Sequence, residues 1–143
     1  LLHIFYLTFE GFTVHYHHLS IKTSDIFKAI AFYEALGFVI ETRFTTGITL
    51  ACWMTGANTR LELMQVPEPQ VTVNGFEAEN YVGYYHLSFQ VENLEIYLQE
   101  LVAQLGKLKL LLPPRTQEIG DRIYSVAFIA DPDGLPIELI SPH

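Results

Sequence analysis

The chain has 143 residues, half of them apolar, which is enough for one domain or two tightly fused half-domains. A chain of this size buries roughly 68–70% of its unfolded surface and folds without a disulfide net or a structural metal. Eight basic residues stand against 16 acidic ones, a net charge of −8, which argues against nucleic acid or an anionic membrane as partner. The single Cys52 excludes an internal disulfide and fits a reducing, cytoplasmic setting. It lies in the strand-like run Ile48-Thr49-Leu50-Ala51-Cys52-Trp53-Met54, where a buried, inert thiol is expected.

No stretch approaches the ~20 apolar residues of a membrane span. The run from Leu1 to Phe9 lacks the basic flank and small-residue cleavage site of a signal peptide. Residues 1–14 are read as an N-terminal extension, outside the functional argument. From 14 to 22 the residues alternate like a strand. Ser24 or Asp25 then caps a helix whose apolar positions Ile26, Phe27, Ile30, Ala31, Tyr33 and Leu36 follow the 3.6 repeat, with Gly37 ending it. Strand-like runs follow at about 38–44, 48–54 and 60–66, separated by Thr45-Thr46-Gly47 and Gly56-Ala57-Asn58. The same order recurs: a strand at about 84–91, then a helix capped by Asn93 with Leu94, Tyr97, Leu98, Leu101, Val102 and Leu105 on one face, ended by Gly106. A short run at 107–112 stops at Pro113-Pro114. A strand at about 122–130 then meets the turn Asp131-Pro132-Asp133-Gly134, and a last strand covers 135–141.

The repeat is also in the letters. His18-Leu19-Ser20-Ile21-Lys22 recurs as His86-Leu87-Ser88-Phe89-Gln90, Leu36-Gly37 as Leu105-Gly106, and Leu61-Glu62-Leu63 as Ile137-Glu138-Leu139. The expected fold is α+β: two βαβββ modules, 15–67 and 84–141, forming a cupped mixed β-sheet with helices outside. Residues 68–83 are a linker or lid loop, and 113–122 is a second long loop carrying Arg115 and Arg122.

Alternate strand residues face opposite ways. Leu19 and Ile21 point to the helix layer, leaving His18, Ser20 and Lys22 opposite. Leu87, Phe89 and Val91 likewise leave His86, Ser88 and Gln90 opposite, while Glu62 and Glu138 turn away from their leucine and isoleucine neighbours. Each half thus offers one imidazole and one carboxylate on the face away from its helix. If the two faces curve toward a shared cup, two His and two Glu converge. Such a set suits a first-row divalent ion with open positions for water or substrate. An ion so held polarises a carbonyl and stabilises an enediolate while a neighbouring carboxylate moves the proton. A lone strand His or Glu is ordinarily a surface or core residue. Here it is the equivalence of places in two halves that points to chemistry. His15 and His17, by parity opposite to His18, read as exposed strand-end residues, and Trp53, Tyr84 and Tyr85 as cup lining or core.

The chain resembles the vicinal oxygen chelate superfamily, which includes glyoxalase I, bleomycin-resistance and fosfomycin-resistance proteins and extradiol dioxygenases. The resemblance spans about 15–141. It is carried by His18-Leu-Ser-Ile-Lys…Asp25, by Ala31-Phe32-Tyr33-Glu34-Ala35-Leu36-Gly37-Phe38, and by Phe128-Ile129-Ala130-Asp131-Pro132-Asp133-Gly134-Leu135-Pro136-Ile137-Glu138-Leu139-Ile140. The His, Glu, His, Glu set of glyoxalase I falls on His18, Glu62, His86 and Glu138. That match implies nickel, cobalt or zinc as the divalent metal, Glu138 as the main proton-transfer base with Glu62 sharing the role, and a homodimer with the metal between subunits.

Three departures stand out. Lys22 occupies the place of a carboxylate-clamping Arg, Val66 that of an Asn, and Gly120 lies near a loop lysine of the bacterial enzymes, with Arg122 close by. Lys22 and Arg122 remain the substrate-binding candidates, and glutathione is an unexpected thiol here. The leading function is a metal-dependent lyase or isomerase of the glyoxalase I type, moving a proton beside a carbonyl. The alternatives are an epimerase with the same chemistry, a dioxygenase, or a metal-free, bleomycin-resistance-like binding module. No Gly-x-Ser-x-Gly elbow, Walker loop or Rossmann fingerprint is present.

Overall fold

Each half of the chain carries one helix-period stretch among strand-period stretches, and only one packing satisfies both: a sheet with a helix across one face. The computed structural model describes residues 14–71 and 76–143; the expected N-terminal extension therefore lies outside the described residues, apart from Val14. The order is β1 (Leu19–Thr23), α1 (Ile26–Ala35), β2 (Val39–Thr46), β3 (Thr49–Gly56), β4 (Thr59–Gln65), β5 (Leu87–Gln90), α2 (Leu94–Leu105), β6 (Leu110–Ile119), β7 (Arg122–Ala130) and β8 (Pro136–Pro142). This is βαβββ used twice. The strands form two four-stranded mixed sheets, ordered β1-β4-β3-β2 and β5-β8-β7-β6. In each, the first strand pairs parallel with the last, and the other pairs are antiparallel.

The register repeats as the letters do. Leu19 lies opposite Leu61 and Ser20 opposite Glu62; Leu87 lies opposite Ile137 and Ser88 opposite Glu138. The helices start and stop for local reasons. The Asp25 carboxylate accepts from the Phe27 and Lys28 amides, and the Asn93 side chain accepts from the Ile96 amide. Gly37 and Gly106, at φ +95° and +77°, take the left-handed conformation that releases each chain from its helix. Ile26, Ala29, Phe32 and Tyr33 are buried on α1, and Leu94 and Leu101 on α2. Phe27 and Val102, expected on the apolar faces, are 73% and 44% exposed. A helix lying on a sheet covers only one stripe, and the flanking apolar positions stay in water.

The two halves share one core. Phe32, Tyr33, Phe38, Leu61 and Leu63 cluster with Leu94, Leu101, Ile129, Ile137 and Leu139, and the Phe38 and Phe89 rings meet edge to face at 5.7 Å. A polar latch reinforces the contact. The Tyr33 hydroxyl donates to Asp131 at 3.0 Å, while Asp133 accepts from the hydroxyls of Thr23 and Ser24 and from the Ser24 amide. Burial first, then the facing Asp131, drives the Tyr33 pKa well above its ordinary value. Burial likewise raises Asp131, against hydrogen bonds from Leu135, Tyr33 and Asp133.

The expected loop at 113–122 is instead the body of β6 and its turn to β7. Among the described residues β6 is an edge strand paired with β7 alone, so Pro113 and Pro114 forgo no second ladder there, and register shifts between Leu110 and Arg115 absorb them. Gly120 and Asp121 make the two-residue hairpin turn, with Gly120 at φ +64°. The strands expected at 14–22 and 84–91 begin only at Leu19 and Leu87, which leaves His18 and His86 one residue ahead of the ladder.

Candidate functional site

Directly opposed residues share a sheet face, so the register brings Ser20, Glu62 and Trp53 together on the face away from the core. Ser20 Oγ donates to Glu62 Oε1 at 2.8 Å and Trp53 Nε1 donates to Glu62 Oε2 at 2.8 Å. His18 Nε2 stands 3.6 Å from Glu62 Oε1. Burial pushes the Glu62 carboxyl up, but the Trp53 and Ser20 hydrogen bonds, helped by His18 and His17, bring it below its ordinary value. The ionised form of Glu62 is therefore favoured.

The second half repeats the arrangement with one change. Ser88 Oγ donates to Glu138 Oε1 at 2.6 Å, and His86 Nε2 lies 3.7 Å from the same oxygen. In the register place of Trp53 stands Phe128, opposite Glu138. A phenyl ring has no N–H, so Glu138 Oε2 has no hydrogen-bond donor among the described residues. The His86 ring instead sits among aromatics, 4.5 Å from Tyr85 and 4.9 Å from Phe128, with Phe76 tilted on Phe128 at 5.1 Å. Its Nδ1 is buried without a hydrogen-bond partner among the described residues.

Which His meets which Glu was open in the sequence; the structure pairs them within each module, His18 with Glu62 and His86 with Glu138. All four side chains are mostly but not wholly covered, from 14% to 29% exposed, so an ion has a path in. The pairs do not gather further. Among the described residues no three His, Cys, Asp or Glu side chains surround one point where an ion could touch them all. The helix-side residues of both modules enter one core, and the two His-Glu pairs lie on the opposite faces of their sheets. The donor types, neutral imidazole and carboxylate, fit a divalent first-row metal, and each module supplies two of them.

The cationic candidates stand apart. Lys22 is exposed on β1 beyond Ser20. Arg122 begins β7, six positions from Phe128, or roughly 20 Å at ~3.3 Å per residue from the His86–Glu138 pair. Arg122, expected at the junction of the 113–122 loop and the following strand, does begin β7, but the β6–β7 hairpin carries it to the far end of the sheet.

His17 is exposed as expected, but its ring does not take the face opposite His18. The chain is not yet a strand there, and its ring turns to His18, with Nδ1 to Nδ1 at 2.7 Å, and packs edge-on against Trp53 at 5.1 Å. Ser20 and Ser88 were visible as the repeated His-Leu-Ser triplet without a role assigned. Arg60 had no signal at all. It lies on the site face opposite Thr55, sits 5.5 Å over the Trp53 ring, and bonds Glu41 at 2.6 and 2.8 Å. Glu41 reaches it because a bulge between Ile40 and Thr42 shifts the register of β2. The Arg60 bonds come first in holding the Glu41 carboxyl below its ordinary value.

Comparison with known proteins agrees with this architecture. The Glyoxalase/Bleomycin resistance protein/Dioxygenase superfamily profile matches residues 15–139. Among solved structures, a glyoxalase family protein from Enterococcus faecalis is 25% identical, with a TM-score of 0.70 over 89% of this chain and 97% of its own. A glyoxalase family protein from Bacillus cereus is 19% identical, with a TM-score of 0.73 over 93% and 97%. A glyoxalase I variant from Zea mays is 19% identical, with a TM-score of 0.70 over 88% of this chain and 44% of its own length. The last two likenesses concern the fold alone. No curated protein matches the chain. With the match covering both modules and both His-Glu pairs, the chain belongs to the glyoxalase/bleomycin resistance protein/dioxygenase superfamily.

Proposed function

We propose that the chain is a metal-dependent lyase or isomerase of the glyoxalase I type, working as a homodimer in which the His18–Glu62 pair of one copy meets the His86–Glu138 pair of another. One observation carries the reading. The two pairs sit at the same register positions of two modules, each on the face turned away from the shared core, and each is two donors short of a four-donor shell. A bound nickel, cobalt or zinc ion would polarise a substrate carbonyl. The chain's own residues then divide the work. Glu62, held by Ser20 and Trp53 on both oxygens, stays ionised and fixed. Glu138, anchored through Oε1 by Ser88, keeps Oε2 for a proton, taking it from the carbon beside the carbonyl and returning it to the neighbouring carbon. Tyr85, Phe76 and Phe128 would line the His86 side of that transfer with aromatic surface.

Val66 offers no side-chain hydrogen bond to a peptide-like thiol, so a different thiol, or an epimerisation without one, suits the cup better than glutathione. The metal-free binding module draws support from the same aromatic group beside His86.

The test is metal content and complementation. Wild-type chain loaded with nickel, cobalt or zinc should hold about one ion per two-plus-two donor set, and His86→Ala and Glu62→Gln should each lose it. A mixture of His18→Ala and Glu138→Gln chains should regain about a quarter of the wild-type sites through random pairing, because one site of each mixed dimer is intact. Absence of metal in the wild type would leave the binding module. Metal without complementation would place all four ligands in one chain.

A further inference from the structure

The residues leading into β1 bring a second imidazole to the first half-site, and its contact with His18 runs nitrogen to nitrogen. At 2.7 Å between the two Nδ1 atoms a single proton is shared. Two protonated nitrogens would repel, and two bare ones would have nothing between them. Both rings rest on Trp53, at 5.1 Å for His17 and 5.9 Å for His18. Arg60, itself gripped by Glu41, donates to the His17 carbonyl at 3.2 Å and so fixes the lead-in. His18 Nε2 is the nitrogen facing Glu62. A neutral imidazole can ligate through Nε2 only when its proton is on Nδ1. That proton needs an acceptor, and His17 Nδ1 supplies it when His17 carries its own proton on Nε2.

We infer that His17 is a positioning residue: it accepts the Nδ1–H of His18 and holds that ring in the tautomer whose Nε2 is bare for a divalent cation. The inference rests on the metal reading above and extends it to a residue outside the repeated His-Glu set. The second half has no counterpart. Tyr85 stands where His17 would be, and His86 Nδ1 lacks a partner among the described residues.

Two variants separate the hydrogen bond from packing. His17→Phe keeps a ring on Trp53 and removes the acceptor; His17→Asn removes the ring and sets an oxygen near the place of Nδ1. Zinc affinity of the whole chain, read by competition with a chromophoric chelator, should fall about 10–100-fold in His17→Phe and stay close to wild type in His17→Asn. Long-range nitrogen–proton spectra of the zinc-loaded wild type should show Nδ1–H on His18 and Nε2–H on His17. Wild-type affinity in His17→Phe, a weaker His17→Asn than His17→Phe, or Nε2–H on loaded His18 overturns the inference and leaves the metal reading standing. A wild type that binds no zinc, nickel or cobalt overturns the metal reading and this role with it.

Discussion

The two half-sites descend from one pattern and differ by one ring. Opposite Glu62 stands an indole, opposite Glu138 a phenyl. The indole N–H occupies Glu62 Oε2, and among the described residues the phenyl leaves Glu138 Oε2 without a donor. Around the imidazoles the contrast recurs: His18 has a nitrogen on its Nδ1, whereas His86 has aromatic surface. The repeat supplies two equivalent acid–imidazole pairs, and the residues beside them bond one carboxylate on both oxygens and the other on one; on the proposed reading this difference separates a fixed anion from a proton-carrying base. Chemical difference between symmetric sites need not come from the reacting residues themselves.

The comparison breaks most visibly at the carboxylates. Glu138→Gln should lower turnover about 10²–10⁴-fold in a hemithioacetal assay run with several thiols, and glutathione should be a poor substrate. Glu62→Gln should act first on the bound ion, seen in metal content. Equal effects of the two on turnover per bound metal would erase the division of labour. A step smaller, Tyr33→Phe leaves buried Asp131 without its hydroxyl donor and should cost about 1–3 kcal/mol in urea unfolding, because the latch holds both outward-facing halves on one core. Smaller again, Trp53→Phe gives the first half the ring of the second. Loss of the N–H to Glu62 should cost about 1 kcal/mol with the fold retained.

The finest effect is in acid. Glu62 lies below the ordinary carboxylate value of 4.5, so the folded state binds this proton less readily than the unfolded chain. Its contribution is complete above that value and is lost as pH falls through the lower folded one. Melting temperatures of Trp53→Phe should therefore approach those of wild type as pH drops below 4.5. A constant gap would show that the indole acts through packing alone.

Much of the site was legible beforehand because it depends on short-range rules. Strand parity put Ser20 with Glu62 and Ser88 with Glu138, and the ladders have that register. Helix caps at Asp25 and Asn93 followed from side chains that reach their own first turn. Parity failed at His17 because pleat alternation holds only where a ladder enforces it, and the ladder begins two residues later. Pro113-Pro114 suggested a loop because nothing local reveals that a strand will lie at an edge, where a missing N–H is harmless.

The two βαβββ units, the faces of their strands and the presence of one His and one Glu on the outer face of each unit could be read from the letters alone, since periods of 2 and 3.6 and an internal repeat are written residue by residue. Only the tertiary structure decided that the two helix faces would be buried in a common core, that each His would meet the Glu of its own module, and that an indole, a second imidazole and a bulge-borne Glu41–Arg60 pair would gather around just one of these pairs. Those outcomes depend on contacts between segments far apart in the chain, where burial and hydrogen-bond geometry are settled together and no local pattern records the result.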